Sequence, residues 1–263
     1  MRKLSFDYYM RIAYSEIVSQ CYYTIKCIPM DTERQHLETL QVEIEPKDTM
    51  SRGEDSFGNR YLYGSVDQDH KEFYFHITGE VITGMTGWED SVREELAGMY
   101  RYASQYTQVG EELNAYYDTV VLWDISDPCE YALELMHRLH DVFIYEKNVT
   151  DVTTTAEEAW RLRRGVCQDY AHIMIALCRK AGIPARYVAG MMIGEGASHA
   201  WVEIACNDKW YAFDPTNDKV VDDTYIKLGV GRDAADCLIN RGLMRGGGTQ
   251  TQTVDVKVCE CEA

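Results

Sequence analysis

The sequence predicts an α+β protein: an N-terminal antiparallel β-sandwich, then a core in which one helix packs on an antiparallel sheet. Three observations carry the prediction. Apolar residues alternate at period two in stretches of residues 4–83, with turn residues between the runs. From Trp88 the apolar spacing becomes helical. Beyond Ala185 alternation returns, directly behind a long helical stripe. The expected parts are residues 1–85 as the sandwich, 86–245 as the helix-and-sheet core and 246–263 as a terminal strand.

In chain order, Gln20–Cys27 and Glu72–Ile77 alternate as strands, and Asp55-Ser56-Phe57-Gly58-Asn59-Arg60 is a turn between strands. Ser91–Tyr106 and Pro128–Val142 read as helices, the second opened by Asp127-Pro128. Thr153–Arg164 reads as a short helix with Thr or Asp available to cap it. A further helix starts at Cys167, because Tyr170, Ala171, Met174, Leu177, Cys178 and Ala181 form one apolar stripe. Gly182 and then Pro184 stop it. A strand follows at Ala185–Ile193, then two alternating runs, Ser198–Ile204 and Trp210–Pro215, joined by Cys206-Asn207-Asp208-Lys209. Arg245–Thr249 is a Gly-rich linker, and Thr251–Val258 alternates as a last strand.

The chemistry concentrates between Gly165 and Asp218. Gly165 permits a tight approach to the helix, so Cys167 stands in its first turn. There the helix dipole and the unpaired N–H groups favour a thiolate over a thiol. The Cys167 backbone N–H is also a natural donor to an oxyanion formed on attack. A hairpin turn centred between Cys206 and Asn207 puts His199 opposite Asp214, with Cβ atoms roughly 4.5–5.5 Å apart. A register shifted by two keeps them diagonal neighbours on one face. Val202, Ile204, Tyr211 and Phe213 then share the other face, a plausible core face. A thiol, an imidazole and a carboxylate are the parts of an activated nucleophile, its base and the base's orienter. Gln168 and Tyr145 are the candidates for a second oxyanion donor. Trp201 and Trp210 share the His199 face and are candidates for the wall of a channel.

Four segments resemble the bacterial transglutaminase-like family, whose fold is the papain-like/transglutaminase core. They are Gly165-Val-Cys-Gln-Asp-Tyr-Ala-His172, Ala181-Gly-Ile-Pro-Ala-Arg-Tyr-Val-Ala-Gly190, Ser198-His-Ala-Trp-Val-Glu203 and Trp210-Tyr-Ala-Phe-Asp-Pro-Thr-Asn217. Gly231-Arg232-Asp233 and Arg241-Gly242 resemble the tail of the same group, and residues 4–80 its β-rich N-terminal domain. The resemblance implies Cys167 as nucleophile, His199 as base and Asp214 as orienter. It implies thiol acyl transfer, with hydrolysis of peptide or side-chain amide bonds expected ahead of transamidation to an amine. A degenerate scaffold with an N-terminal interaction module is the non-enzymatic alternative.

Composition narrows the partners. The net charge of −17 disfavours nucleic acid and anionic membranes. The chain starts without a signal-like apolar run, and no stretch is long enough to span a bilayer. Nine cysteines without framework spacing suit a reducing compartment, so the cytoplasm is expected. The expected partner is a peptide or protein substrate. No metal or cofactor is expected: His137 and His140 lack converging ligands, Asp214–Asp223 lacks a calcium-loop pattern, and Gly194-Glu195-Gly196 and Gly246-Gly247-Gly248 lack a phosphate-loop setting.

Overall fold

The first five strands are β1 (Arg2–Ile25), β2 (His36–Glu45), β3 (Ser51–Glu54), β4 (Arg60–Val66) and β5 (His70–Thr83). The structure is a computed structural model that describes residues 1–93, 97–120 and 125–261. Period two sends Leu4, Phe6, Tyr8, Met10 and Ile12 of β1 to one buried face. Phe73, Phe75, Ile77 and Val81 of β5 join them. β3 and β4 form the hairpin expected around Asp55–Arg60. The Asp55 carboxylate accepts from Phe57 and Asn59 N–H, and Gly58 takes φ +84°.

The helical middle differs from the sequence reading in two places. Within the expected helix 91–106, residues 94–96 lie outside the described residues, and the described part holds two short 3₁₀ turns, Gly98–Arg101 and Gln105–Thr107. The backbone upstream is engaged elsewhere. Glu89 and Val92 N–H donate to Trp210 and Asp208 carbonyls, and Trp210 N–H donates to Asp90. The Glu89 and Val92 amides are therefore committed to the hairpin and not to a helical ladder. A helix absent from the sequence reading, α1 (Glu111–Val120), follows, then α2 (Pro128–Val142), capped by the Asp127 carboxylate. After the two-residue β6 (Ile144–Tyr145) comes α3 (Ala156–Leu162), opened by a Thr155/Glu158 capping box. Next are β7 (Arg164–Gly165), parallel to β6, and α4 (Cys167–Lys180), ended by Gly182 at φ +81°.

The core sheet contains β8 (Ala185–Met192), β10 (His199–Cys206), β11 (Lys209–Asp214), β12 (Lys219–Val220) and β13 (Tyr225–Gly231). A short β9 (Gly194–Gly196) leaves it to join the N-terminal sheet. The spatial order is β12-β11-β10-β8-β13, all antiparallel. The hairpin register is two residues away from the sequence expectation. Val202 pairs with Phe213 and Ala205 with Trp210, so the turn centres between Asn207 and Asp208. Both turn residues have positive φ, 49° and 59°, the demand of the tight turn that matches strand twist. A shift of two preserves the face of every side chain. Val202, Ile204 and Phe213 are buried in the core on the helix side of the sheet, as expected, and Tyr211 is partly buried against it.

A last 3₁₀ turn, Ala234–Cys237, leads to β14 (Asn240–Gly246) and β15 (Gln250–Glu260). These strands return to the start of the chain. β14 pairs with the second half of β1, and β15 runs antiparallel to its first half, from Leu4↔Glu260 to Tyr14↔Gln250. The eight-stranded N-terminal sheet therefore contains the terminal strand, and Val256 and Val258 enter its apolar core.

The core sheet has helices on one face and the N-terminal unit on the other. Where they meet, a charged cluster is buried. Glu203 receives Arg186 at 2.6 Å and Lys227 at 2.6 Å, and Lys227 also reaches Glu89 at 3.2 Å. Burial pushes the Glu203 carboxyl up, but Arg186 and Lys227 outweigh it and hold it below its ordinary value. No helix among the described residues is long and apolar enough to cross a membrane.

Candidate active site

Cys167 is the first residue of α4, so its N–H and that of Gln168 have no intrahelical acceptor. The helix start is held by Asp169. Its Oδ2 accepts from Val166 N–H at 2.7 Å and from the Thr150 hydroxyl at 2.7 Å. Gly165 is required by this clasp: a Cβ there would lie 2.4 Å from Asp169 Oδ2. The sequence feature read as permitting a tight approach thus has a specific cause.

His199 opens β10 at the end of the sheet where α4 begins, and both line one surface groove. Its Nε2 lies 2.7 Å from Asp214 Oδ2. A carboxylate only accepts, so Nε2 carries a hydrogen and donates. Cys167 lines the same groove as this ring and adds to the pull on it. Burial opposes charge on the ring, but Asp214 and Cys167 outweigh it and push the imidazole up to about 10. Asp214 is fully buried. Burial alone raises its carboxyl. Bonds from His199, Asn217 and Tyr225 outweigh that and hold it below the usual carboxylate range.

Two partners of Asp214 were not assigned a role from the sequence. Asn217 Nδ2 donates to Oδ2 at 2.7 Å, and the Tyr225 hydroxyl donates to the same atom at 2.9 Å. Thr216 and Asn217 N–H hold Oδ1 at 3.0 and 3.3 Å. The Asn217 contact had a local signal, since an Asp followed by backbone N–H donors two and three residues on is an Asx-type turn. Tyr225 had none. It reaches the site because Gly190 of β8 leaves a gap between β10 and β13. A Cβ at Gly190 would lie 2.2 Å from the Trp201 ring, so Trp201 covers the glycine and packs edge-on against Tyr225 at 5.5 Å.

The other sequence candidates fall in different places. Tyr145 pairs with Gly165, two residues from the thiol. Burial, and then the nearby Cys167, raise its phenol. The Gln168 side-chain amide donates to the Asp151 carbonyl at 3.1 Å and is committed there. Trp201 is buried beneath His199, and Trp210 packs on Tyr100 and under the Arg186 guanidinium. Neither walls a channel, because the N-terminal unit covers this face of the sheet. His137 and His140 flank the segment after Asp214, contacting Asp218 and the Pro215 carbonyl. Among the described residues, Asp127, Cys129 and Cys206 bring donor atoms within 4.8 Å of one another. That cluster lies at the far end of β10 from His199, roughly 23 Å away at strand spacing. It takes no part in chemistry at Cys167.

Comparison with known proteins agrees with this architecture. Residues 121–215, a span that includes Cys167, His199 and Asp214, match the family model of the transglutaminase-like superfamily. Residues 4–82 match that of the bacterial transglutaminase-like N-terminal region. An uncharacterized protein of Mycobacterium tuberculosis is 28% identical over 284 residues, covering 93% of this chain and 88% of its own length. One from Mycobacterium leprae is 38% identical over 124 residues, 43% of this chain and 44% of that protein. The crystal structure of a candidate cysteine protease from Cytophaga hutchinsonii superposes with a TM-score of 0.82 at 21% identity, over 100% of this chain and 91% of that one. It has the same fold.

Proposed function

From a chain that joins a bacterial transglutaminase-like N-terminal region to a transglutaminase-like core, we propose a cysteine-dependent acyl-transfer enzyme that hydrolyses peptide or side-chain amide bonds. The observation that carries the reading is the His199 ring, bonded to buried Asp214 at 2.7 Å and lining one groove with Cys167 at the start of α4. Cys167 is the nucleophile, His199 the acid and base, and Asp214 the orienter.

The steps follow from those positions. The Cys167 thiolate attacks the amide carbonyl carbon, forming a C–S bond while the carbonyl electrons move to oxygen. The oxyanion is met by N–H groups of the first turn of α4, with the Tyr145 hydroxyl as the candidate second donor. The His199 imidazolium gives its proton to the leaving nitrogen as the C–N bond breaks, leaving a thioester. Water then attacks the thioester carbonyl, His199 takes its proton, and sulfur departs as thiolate. The released product is the free acid.

Amine transfer is the second reading, and hydrolysis ranks ahead of it for a physical reason. Amine transfer needs a dry channel. Trp201 and Trp210 are buried in packing, and Cys167 opens on a surface groove that water reaches. In this reading the partner is a peptide or protein, the compartment is the cytoplasm, and the net charge of −17 disfavours nucleic acid and anionic membranes. The test is mass spectrometry of products from peptide and glutamine substrates, with and without excess primary amine. Free acid should dominate in both. An adduct-dominated mixture would put transglutaminase first. Brief iodoacetamide labelling and peptide mapping tests the scaffold alternative: Cys167 should react ahead of Cys259 and Cys261, and silence at Cys167 would support a scaffold.

A further inference from the structure

The groove beside the thiol has a chemical character of its own. It encloses about 220 Å³ next to Cys167 and His199. Tyr187, Ala189, Ala200, Ala234, Leu238 and Ile239 supply its walls. Among the described residues, no carboxylate, ammonium or guanidinium group lines it. One of its neutral polar side chains is already engaged. The Gln168 amide donates to the Asp151 carbonyl. A charged side chain entering this space would lose water and find no charge beyond Cys167 and His199, the latter already paired with Asp214, which is costly. An apolar one would gain by burial.

One wall is held rigidly. The Ala234 N–H donates to Nε2 of His172 at 3.1 Å, and His172 is fully buried on α4. Burial drives the His172 imidazole down to about 3, so the ring stays neutral and keeps a lone pair for that bond. The 3₁₀ turn that carries Ala234 is thereby fixed against the helix that carries Cys167. The Ala234 methyl stands in that wall of the groove.

We infer that this groove is the acyl-donor subsite, that it takes an uncharged apolar side chain adjoining the attacked carbonyl, and that Ala234 limits the size it accepts. The inference rests on the proposed role of Cys167 and adds the substrate class. In a hydrophobic subsite one methylene changes selectivity by roughly 10–200-fold. Aliphatic side chains of valine or leucine size should therefore outrank glycine by at least tenfold, on the order of the lower limit of that range.

The experiment uses the full chain and peptidyl chloromethyl ketones that differ only in the residue next to the ketone: Gly, Val, Leu, Glu and Lys. Each reaction forms a C–S bond at Cys167 and expels chloride, so it reads the subsite without depending on the fate of a thioester. Rates of covalent capture should follow Leu and Val above Gly, with Glu and Lys lowest. Ala234→Leu should lower the Leu-to-Gly ratio by roughly tenfold. Iodoacetamide, which needs no subsite, should still label Cys167 in that variant, showing that the fold and the thiol are intact. A flat series, a preference for Glu or Lys, or an unchanged ratio in Ala234→Leu would overturn the subsite while iodoacetamide labelling upholds the nucleophile. No labelling of wild-type Cys167 by iodoacetamide would overturn both.

Discussion

Replacing Asp214 with Asn removes a charge and keeps the shape. Five donors converge on the carboxylate: His199 Nε2, Tyr225 hydroxyl and Asn217 Nδ2 on Oδ2, and Thr216 and Asn217 N–H on Oδ1. An Asn side chain has one acceptor oxygen and one amino group. Turned either way, its amino group faces at least two of those donors. Each donor left unsatisfied costs ~1–3 kcal/mol, and the two backbone N–H groups are partly solvated, so a stability loss of ~2–4 kcal/mol is expected. The catalytic loss should be larger. A neutral amide cannot stabilise the imidazolium, and the same exchange in a serine-protease triad costs roughly 10⁴-fold in kcat. We expect Asp214→Asn to lower kcat by roughly 10³–10⁴-fold.

The pH dependence has a definite sign. His199 is raised from 6.5 to about 10 in the folded protein. Its contribution to stability is therefore complete below its unfolded value and is lost as pH rises through about 10. Without the Asp214 charge the ring titrates lower. The alkaline limb of kcat/KM and the alkaline fall in the urea midpoint should both move to lower pH. Kinetics on a hydrolysed peptide and urea unfolding across pH measure these effects. A variant that keeps more than about a tenth of wild-type kcat, with its alkaline limb unmoved, would refute the role given to Asp214.

Three further perturbations follow from the same geometry. Tyr225→Phe removes one donor to Asp214 without touching the groove; kcat should fall by roughly 3–10-fold with KM unchanged, and a rise in KM alone would count against a positioning role. Gly165→Ala forces the Asp169 clasp apart, because the new methyl would lie 2.4 Å from Oδ2; urea unfolding should show a loss of ~1–3 kcal/mol together with slower alkylation of Cys167, whereas unchanged values of both would contradict the clasp. Glu203→Gln leaves Arg186 and Lys227 buried with too little negative charge; a loss of ~3–5 kcal/mol is expected, and a change below about 0.5 kcal/mol would mean the cluster is solvated.

The sequence by itself determined the local parts of this protein. The apolar stripe from Tyr170 to Ala181, with Gly165 before it and Gly182 after it, located the helix that starts at Cys167. Period-two alternation placed His199 and Asp214 on one hairpin face. The hairpin centre was displaced by two residues, yet the shared face survived, because strand side chains repeat every two residues. These features depend on neighbours in the chain, so they are written in spacing. Only the tertiary structure decided the rest. The Asp214–Tyr225 bond crosses the gap at Gly190, the Glu203 cluster joins strands to the segment around Glu89, and β15 closes on β1 from the other end of the chain. The segment around Ser91 pairs with the hairpin turn for the same reason. Each of these contacts is chosen by what lies opposite once the sheets assemble. A one-dimensional pattern records which face a residue takes, but not which distant residue will meet it there.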